Sequence, residues 1–393
     1  MTTDTSVKFF HSAMANAPTL SGTAGAMIAL LDACLTTGIG SGTVDSVTVA
    51  GGIATVTRSA GHPFDKDAVA LMAGASPSGL NGEKKVLSIS GNQYTYDATG
   101  ISDQTATGTI THKVAPLGWT KTYTGTNLGA YKPSDVTASG NMLRVDDTGT
   151  RDCRVVGYET MSDINTGTGP FPNTAQLSGG GYWQKSDAVS GASRPWFLIG
   201  DGRFFYLFTA YSNITPNAYS ATQVFGDIAS VRSSATYDCV LAATTVTNAS
   251  LANAGSNVNV DYDATDLSSA ALCIYMPRGY TNIGVPAIMR KCANPIVNSN
   301  TASMRSGVGS NLLPFPNYPD GGMYVCQHNL VENATLAYRG SSPGFYMSMQ
   351  NIGTTVFGNR DTITGVTGLA GKTLKAIQSA TGVFFVDVTG PWR

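Results

Sequence analysis

Charge is scarce in this chain. Only 12% of its 393 residues are Asp, Glu, Lys or Arg, about half of the ~25% usual in soluble domains, so the polar surface must be built from neutral groups. Lys plus Arg (24) nearly cancel Asp plus Glu (25), which leaves no global field to hold a polyanion or an anionic membrane surface. Nucleic acid is therefore not an expected partner. No apolar run reaches the length of a membrane span; the best, Ala24 to Leu35, is short and broken by Asp32. Met1 to Ser6 carries Asp4 and no positive side chain, so a secretory leader is not expected. The six cysteines, Cys34, Cys153, Cys239, Cys273, Cys292 and Cys326, form no CxxC pair and are too sparse for a disulfide scaffold. They read as small buried thiols. Four histidines, His11, His62, His112 and His328, share no metal-ligand spacing.

What fills the chain instead is 45 Gly, 17 Pro and a background of Thr, Ser, Ala, Val and Asn, a composition of short strands and frequent turns. One helix is expected: Ser21 and Thr23 precede Ala24, Met27, Ile28, Leu31 and Leu35 at helical spacing, and Thr36-Thr37-Gly38 ends it. From Val44 the period changes to two, and Gly51-Gly52 joins two β-branched runs into a hairpin. Strands are expected at 68–72, 84–89, 93–96 and 108–114, and such regular spacing suggests a small β-barrel or sandwich.

A boundary falls near Pro116-Leu117-Gly118-Trp119, where alternation gives way to a stretch rich in Thr, Gly and Asn. The expected organisation is an N-terminal arm and helix over 1–43, a small β-barrel module over 44–115 and a larger, β-sandwich-like domain with long loops over 116–393. The fold class is mostly β. Met1 to Pro18 reads as an arm that docks on a neighbour. Further strands are expected at 142–145, 154–158, 196–199, 204–210, 223–225, 239–243, 272–276, 323–327 and 383–388. The long loops 166–181 and 311–322 carry Phe171, Phe315 and Tyr318, and loops of that length are usually functional or interface-forming.

Tests for chemistry return little. No GxSxG elbow is present. Asp146, Asp147, Asp201, Asp227, Asp261, Asp263 and Glu332 could supply paired carboxylates for glycoside hydrolysis, but they read as turn residues beside Gly and Thr. Gly368-Leu369-Ala370-Gly371-Lys372-Thr373 resembles the end of a phosphate-binding loop, yet Val366 stands where its first glycine belongs, so a tight turn is expected. Gly38-Ile39-Gly40-Ser41-Gly42 follows a helix instead of a strand, and the dinucleotide fingerprint fails on that context. The N-x-Ser/Thr triplets at Asn213, Asn248 and Asn333 carry no weight without a secretory route. Trp196, Phe197, Phe204, Phe205, Tyr206 and Phe208, split by Gly200-Asp201-Gly202, read as a core hairpin whose second face is left for a neighbouring sheet or subunit. No catalytic, cofactor-binding or metal-binding residue is assigned.

Residues 44–114 resemble the small β-barrel modules of tailed-phage tail and fibre proteins, which look like the inserted barrel of ubiquitin-activating enzymes. The resemblance rests on Gly61-His62-Pro63-Phe64, Val69-Ala70-Leu71, Leu80-Asn81-Gly82-Glu83 and the strands around Val86 and Tyr94-Thr95-Tyr96. His62 is expected to seat a loop against the barrel. The remainder is similar to a family of uncharacterised tailed-phage structural proteins through Leu143 to Gly149, Arg154 to Glu159, Gly179 to Trp183, Phe225-Gly226-Asp227 and Phe385 to Trp392. This resemblance implies a non-enzymatic virion subunit made in the host cytoplasm, most naturally tail-associated at a baseplate, tail tip or fibre attachment, whose partners are copies of itself and other virion proteins. The alternatives are a capsid decoration protein and a receptor-binding protein or depolymerase acting on host surface glycan.

Overall fold

The computed structural model describes residues 3–210, 221–232, 236–245, 272–292, 313–352, 356–379 and 382–393. Among the described residues the fold is mostly β with one short α-helix, as the composition requires. Ala26–Leu31 is α-helical and buries Ala26, Met27, Ile28, Leu30 and Leu31. The turn continues as a π-helix over Asp32–Thr37 and stops at Gly38, whose φ of 79° suits a residue without Cβ.

Eight strands between Ile39 and Val114 form one curled antiparallel sheet. Its hairpin Ser46–Ala50 and Ile53–Thr57 turns through Gly51 and Gly52, both at positive φ, the geometry that matches strand twist in a two-residue connection. One face is buried: Val47, Val49, Ala54, Val56, Tyr94 and Tyr96 point inward while Thr48 and Gln93 are exposed. The sheet also takes in Ile39–Thr43, paired with Thr111–Val114, five residues ahead of the module read from the sequence. Alternation could not reveal that strand, since Gly40 and Gly42 carry no side chain.

Most of the other described strands, Lys8–His11 among them, build a large antiparallel sheet. Trp119–Gly125, Leu128–Pro133, Met142–Asp146, Asp152–Tyr158 and Gly181–Gln184 pair in chain order. Trp196–Gly200, Phe204–Thr209, Ala221–Asp227 and Cys239–Thr244 continue the same way, and the order closes through Val325–Glu332, Tyr338–Ser348, Gly382–Asp387 and Leu374–Ser379. Among the described pairings only Leu313–Pro314 with Gln350–Asn351 is parallel.

Two expectations are corrected here. Lys8–His11 is no arm for a neighbour: it pairs antiparallel with Trp196–Gly200, with all four residues buried. The second face of the aromatic hairpin, expected to meet a neighbouring sheet or subunit, is covered by other strands of the same chain. Phe205 meets Trp119 and Trp183 edge-on, while Tyr206 packs on Phe345 and Trp392. Phe171, expected in an interface loop, is fully buried and pairs its backbone with Gly157. A Cβ at Gly157 would collide with the Phe171 ring.

The curled sheet and the larger one share a continuous hydrophobic core. Their seam is ionic as well. The Asp65 carboxylate lies 2.8 Å from His11 Nε2, Arg360 donates to His11 Nδ1, and Lys8 pairs with Glu83 at 3.2 Å. Because Nδ1 accepts from a guanidinium, the proton of the neutral imidazole sits on Nε2 and is donated to Asp65.

Candidate functional site

A polar cavity of about 450 Å³ opens beside the aromatic hairpin, lined by Thr137, Ser139, Arg203, Asp227, Arg232 and Asp238 together with Ala138, Ile228, Ala229, Ser230, Thr236 and Arg393. The fold explains this convergence. Arg203 belongs to the Gly200–Phe204 turn, where Asp201 accepts hydrogen bonds from the backbone N–H groups of Arg203 and Phe204 at 2.8 Å each. Asp227 ends the next strand, and Asp238 stands just before Cys239–Thr244, its strand partner.

The carboxylates of the cavity are occupied. Asp227 accepts from the Ser139 N–H at 2.7 Å, from the Ser139 hydroxyl and from Arg203 Nη2 at 3.3 Å. Asp238 accepts from Arg232, Arg339 and Ser230. Burial pushes the Asp238 carboxyl up, but these donors outweigh it and hold the group below the usual carboxylate range. Arg339, fully buried, also pairs with Glu332 at 2.7 Å. Arg393 reaches Asp201 at 3.1 Å and the Asp227 carbonyl at 3.0 Å. Burial pushes the Asp201 carboxyl up, against the opposing pull of Arg393.

The donors are less fully used. A guanidinium carries five N–H groups. Arg203 spends one on Asp227 and one on Thr137 Oγ1 at 3.3 Å, and its Nε is buried with no partner among the described residues. The hydroxyl hydrogens are committed: Thr137 donates to Asp135, Ser139 to Asp227 and Ser230 to Asp238. Ser139 Oγ also accepts from Asn141, Thr137 Oγ1 from Arg203 and Ser230 Oγ from the Arg232 N–H, so among the described residues unpaired guanidinium N–H groups and one lone pair each on Thr137 and Ser230 remain.

The carboxylates singled out in the sequence scatter over the fold. Asp201 and Asp227 come together at this cavity, joined through Arg203 and Arg393, and Glu332 stands behind it through Arg339. Asp146 is the expected turn residue, accepting from Thr148. Asp147 departs from that reading: it is fully buried, pairs with the fully buried Lys185, and accepts from the N–H groups of Met27 and Ile28 at the helix start. Asp227 and Glu332 depart from it too, as members of buried ion pairs. Asp261 and Asp263 lie outside the described residues, as do Asn213 and Asn248. Arg203, Arg232, Arg339 and Arg393 escaped the sequence reading; with so few charges in the chain, Asp and Arg two positions apart at 201 and 203 were the available signal.

Other expectations resolve locally. His62 does seat its loop, with Nε2 3.1 Å from the Gln93 carbonyl and its ring against Phe64 and Tyr94. His112 lies inside the curled sheet, its Nδ1 2.9 Å from the Tyr94 hydroxyl, and burial with help from Arg58 and His62 pushes it down to about 4. The segment 368–373 is a turn leading into Leu374–Ser379, and Lys372 pairs with Asp387 at 2.9 Å. Cys34, Cys153 and Cys239 are buried and burial pushes their thiols up; the side chains of Cys273 and Cys292 lie outside the described residues. Among the described residues no three His, Cys, Asp or Glu side chains gather as a metal-binding group. No helix among them is long and apolar enough to cross a membrane. No protein-family model matches the chain, and no curated protein matches it.

Proposed function

We propose that the chain is a non-enzymatic structural subunit of a tailed-phage virion, associated with the tail at a baseplate, tail tip or fibre attachment, and assembled in symmetric copies. The observation that carries this reading is the curled eight-stranded sheet between Ile39 and Val114. It stands at the residues that resemble phage tail modules, with the Gly61 to Phe64 loop seated on Tyr94 by His62. The neutral composition adds support, since like charges facing each other across a repeated interface are costly.

The test is immunolabelling of intact particles in the electron microscope, with native mass measurement of the purified protein. Label at the tail tip or baseplate and a multimeric mass are expected. Label on the head would replace the tail assignment with capsid decoration, and absence from purified particles would end the virion reading. Incubation with host polysaccharide tests the remaining alternative: chain shortening abolished by Asp227→Ala would make the protein a depolymerase.

A further inference from the structure

We infer that the Arg203 cavity is a binding site for an acidic saccharide unit, a hydroxylated ring bearing one carboxylate. The inference rests on the cavity alone and does not depend on the virion reading. Its volume of about 450 Å³ falls in the range of small-ligand pockets, roughly 300–1,000 Å³, and exceeds what a single acidic side chain would fill. Among the described residues the lining is polar, with Ala138, Ile228 and Ala229 as its apolar members and no aromatic ring. A flat apolar ligand has nothing to stack on there.

The hydrogen-bonding inventory selects the ligand chemistry. Each carboxylate in or beside the cavity already accepts charged or backbone donors. Arg203, by contrast, keeps N–H groups without partners among the described residues, including the buried Nε. Arg393, beside it on the lining, engages only the Asp227 carbonyl and the Asp201 carboxylate among the described residues. Guanidinium groups with spare forks favour a carboxylate, which accepts two parallel bonds. The hydroxyls of Thr137 and Ser230 have spent their hydrogens on Asp135 and Asp238 and each accept one bond, from Arg203 and from the Arg232 N–H, so toward a ligand each offers its remaining lone pair; Ser139 Oγ is filled by Asp227 and Asn141. A carboxylate alone would leave the Thr137 and Ser230 lone pairs unused, whereas sugar hydroxyls supply the matching donors.

Sodium glucuronate is the probe, titrated into the full chain by calorimetry beside glucose, acetate and inorganic phosphate. Glucuronate is expected to bind, with glucose and acetate each at least about tenfold weaker and phosphate weaker as well. Arg203→Gln and the rim variant Thr137→Val are each expected to weaken glucuronate, the former about tenfold, while Lys66→Gln, in a turn between two strands of the curled sheet, leaves binding unchanged. Thermal melting checks that each variant folds, and Thr137→Val decides if Arg203→Gln does not. The proposal is overturned if glucuronate fails to bind, if acetate or phosphate binds as well as it does, or if glucose does. Undiminished binding by folded variants would overturn it too.

Discussion

The curled sheet and the larger sheet are made from the same neutral, glycine-broken composition, yet they bury it differently. In the curled sheet strands such as Ser46–Ala50 have one wet face, so Val47 and Val49 are inside while Thr48 between them is exposed. In the larger sheet Trp196–Gly200, Phe204–Thr209 and Ala221–Asp227 are buried along their whole length. A strand buried on both faces has no solvent side for its polar residues. Asp147, Lys185, Asp238, Arg339 and Glu332 accordingly sit inside it as ion pairs, where the curled sheet buries only isolated groups such as His112 and Lys85. Double-sided burial thus converts a low charge count into a few charges of large structural consequence.

The largest effect that would sharpen this contrast is expected at Arg339. Its replacement by Met keeps volume but leaves Asp238 and Glu332 buried with one partner fewer, and breaking such a pair costs about 3–5 kcal/mol. Denaturant unfolding measures it, and a loss below about 1 kcal/mol would mean that water reaches the network. Next come Leu198→Ala and Ile199→Ala, neighbours on opposite faces, each expected to cost about 2–5 kcal/mol in the same assay. A near-neutral result at either would break the two-faced description.

Acid should separate the regions as well. His112 has its pKa lowered from 6.5 to about 4 by burial, so between those values the unfolded chain binds more protons than the folded one. Stability from this group is complete above pH 6.5 and is lost as pH falls through 6.5 to about 4, by up to about 3 kcal/mol. His11 at the seam and His62 are shifted in the same direction. Asp238 is held low, so its contribution persists until pH falls below the ordinary carboxylate value of 3.8. Amide hydrogen exchange from pH 7 to 4 is expected to loosen strands of the curled sheet before those around Asp238, and His112→Gln should flatten that dependence. The smallest effect is at Thr48→Ala on the wet face, expected within about 0.5 kcal/mol of the parent by denaturant unfolding.

Legibility followed the same division. The hairpin at Gly51-Gly52 and the strand at Gln93–Asp97 were readable because a single buried face imposes a period of two. The helix start was readable from its spacing, although its cap was not: the Asp147 carboxylate that receives the Met27 and Ile28 N–H groups comes from 120 and 119 residues away. Tyr338–Ser348 escaped notice because Gly340, Pro343 and Gly344 break its pattern. Gly344, at φ 62°, leaves room for the Trp392 ring, which a Cβ would strike. Of the cavity, Asp201 and Asp227 were visible as residues but not as partners.

By itself the sequence determined the class of structure and the absence of a strong field, since turn density, β-branching and net charge are properties of the chain. Which charges are buried, that Lys8–His11 folds back onto its own sheet, and that Arg203, Asp227 and Arg393 meet around one cavity were decided by tertiary packing. The physical reason is that ion pairing and two-sided burial act between residues far apart along the chain, where no local period records them.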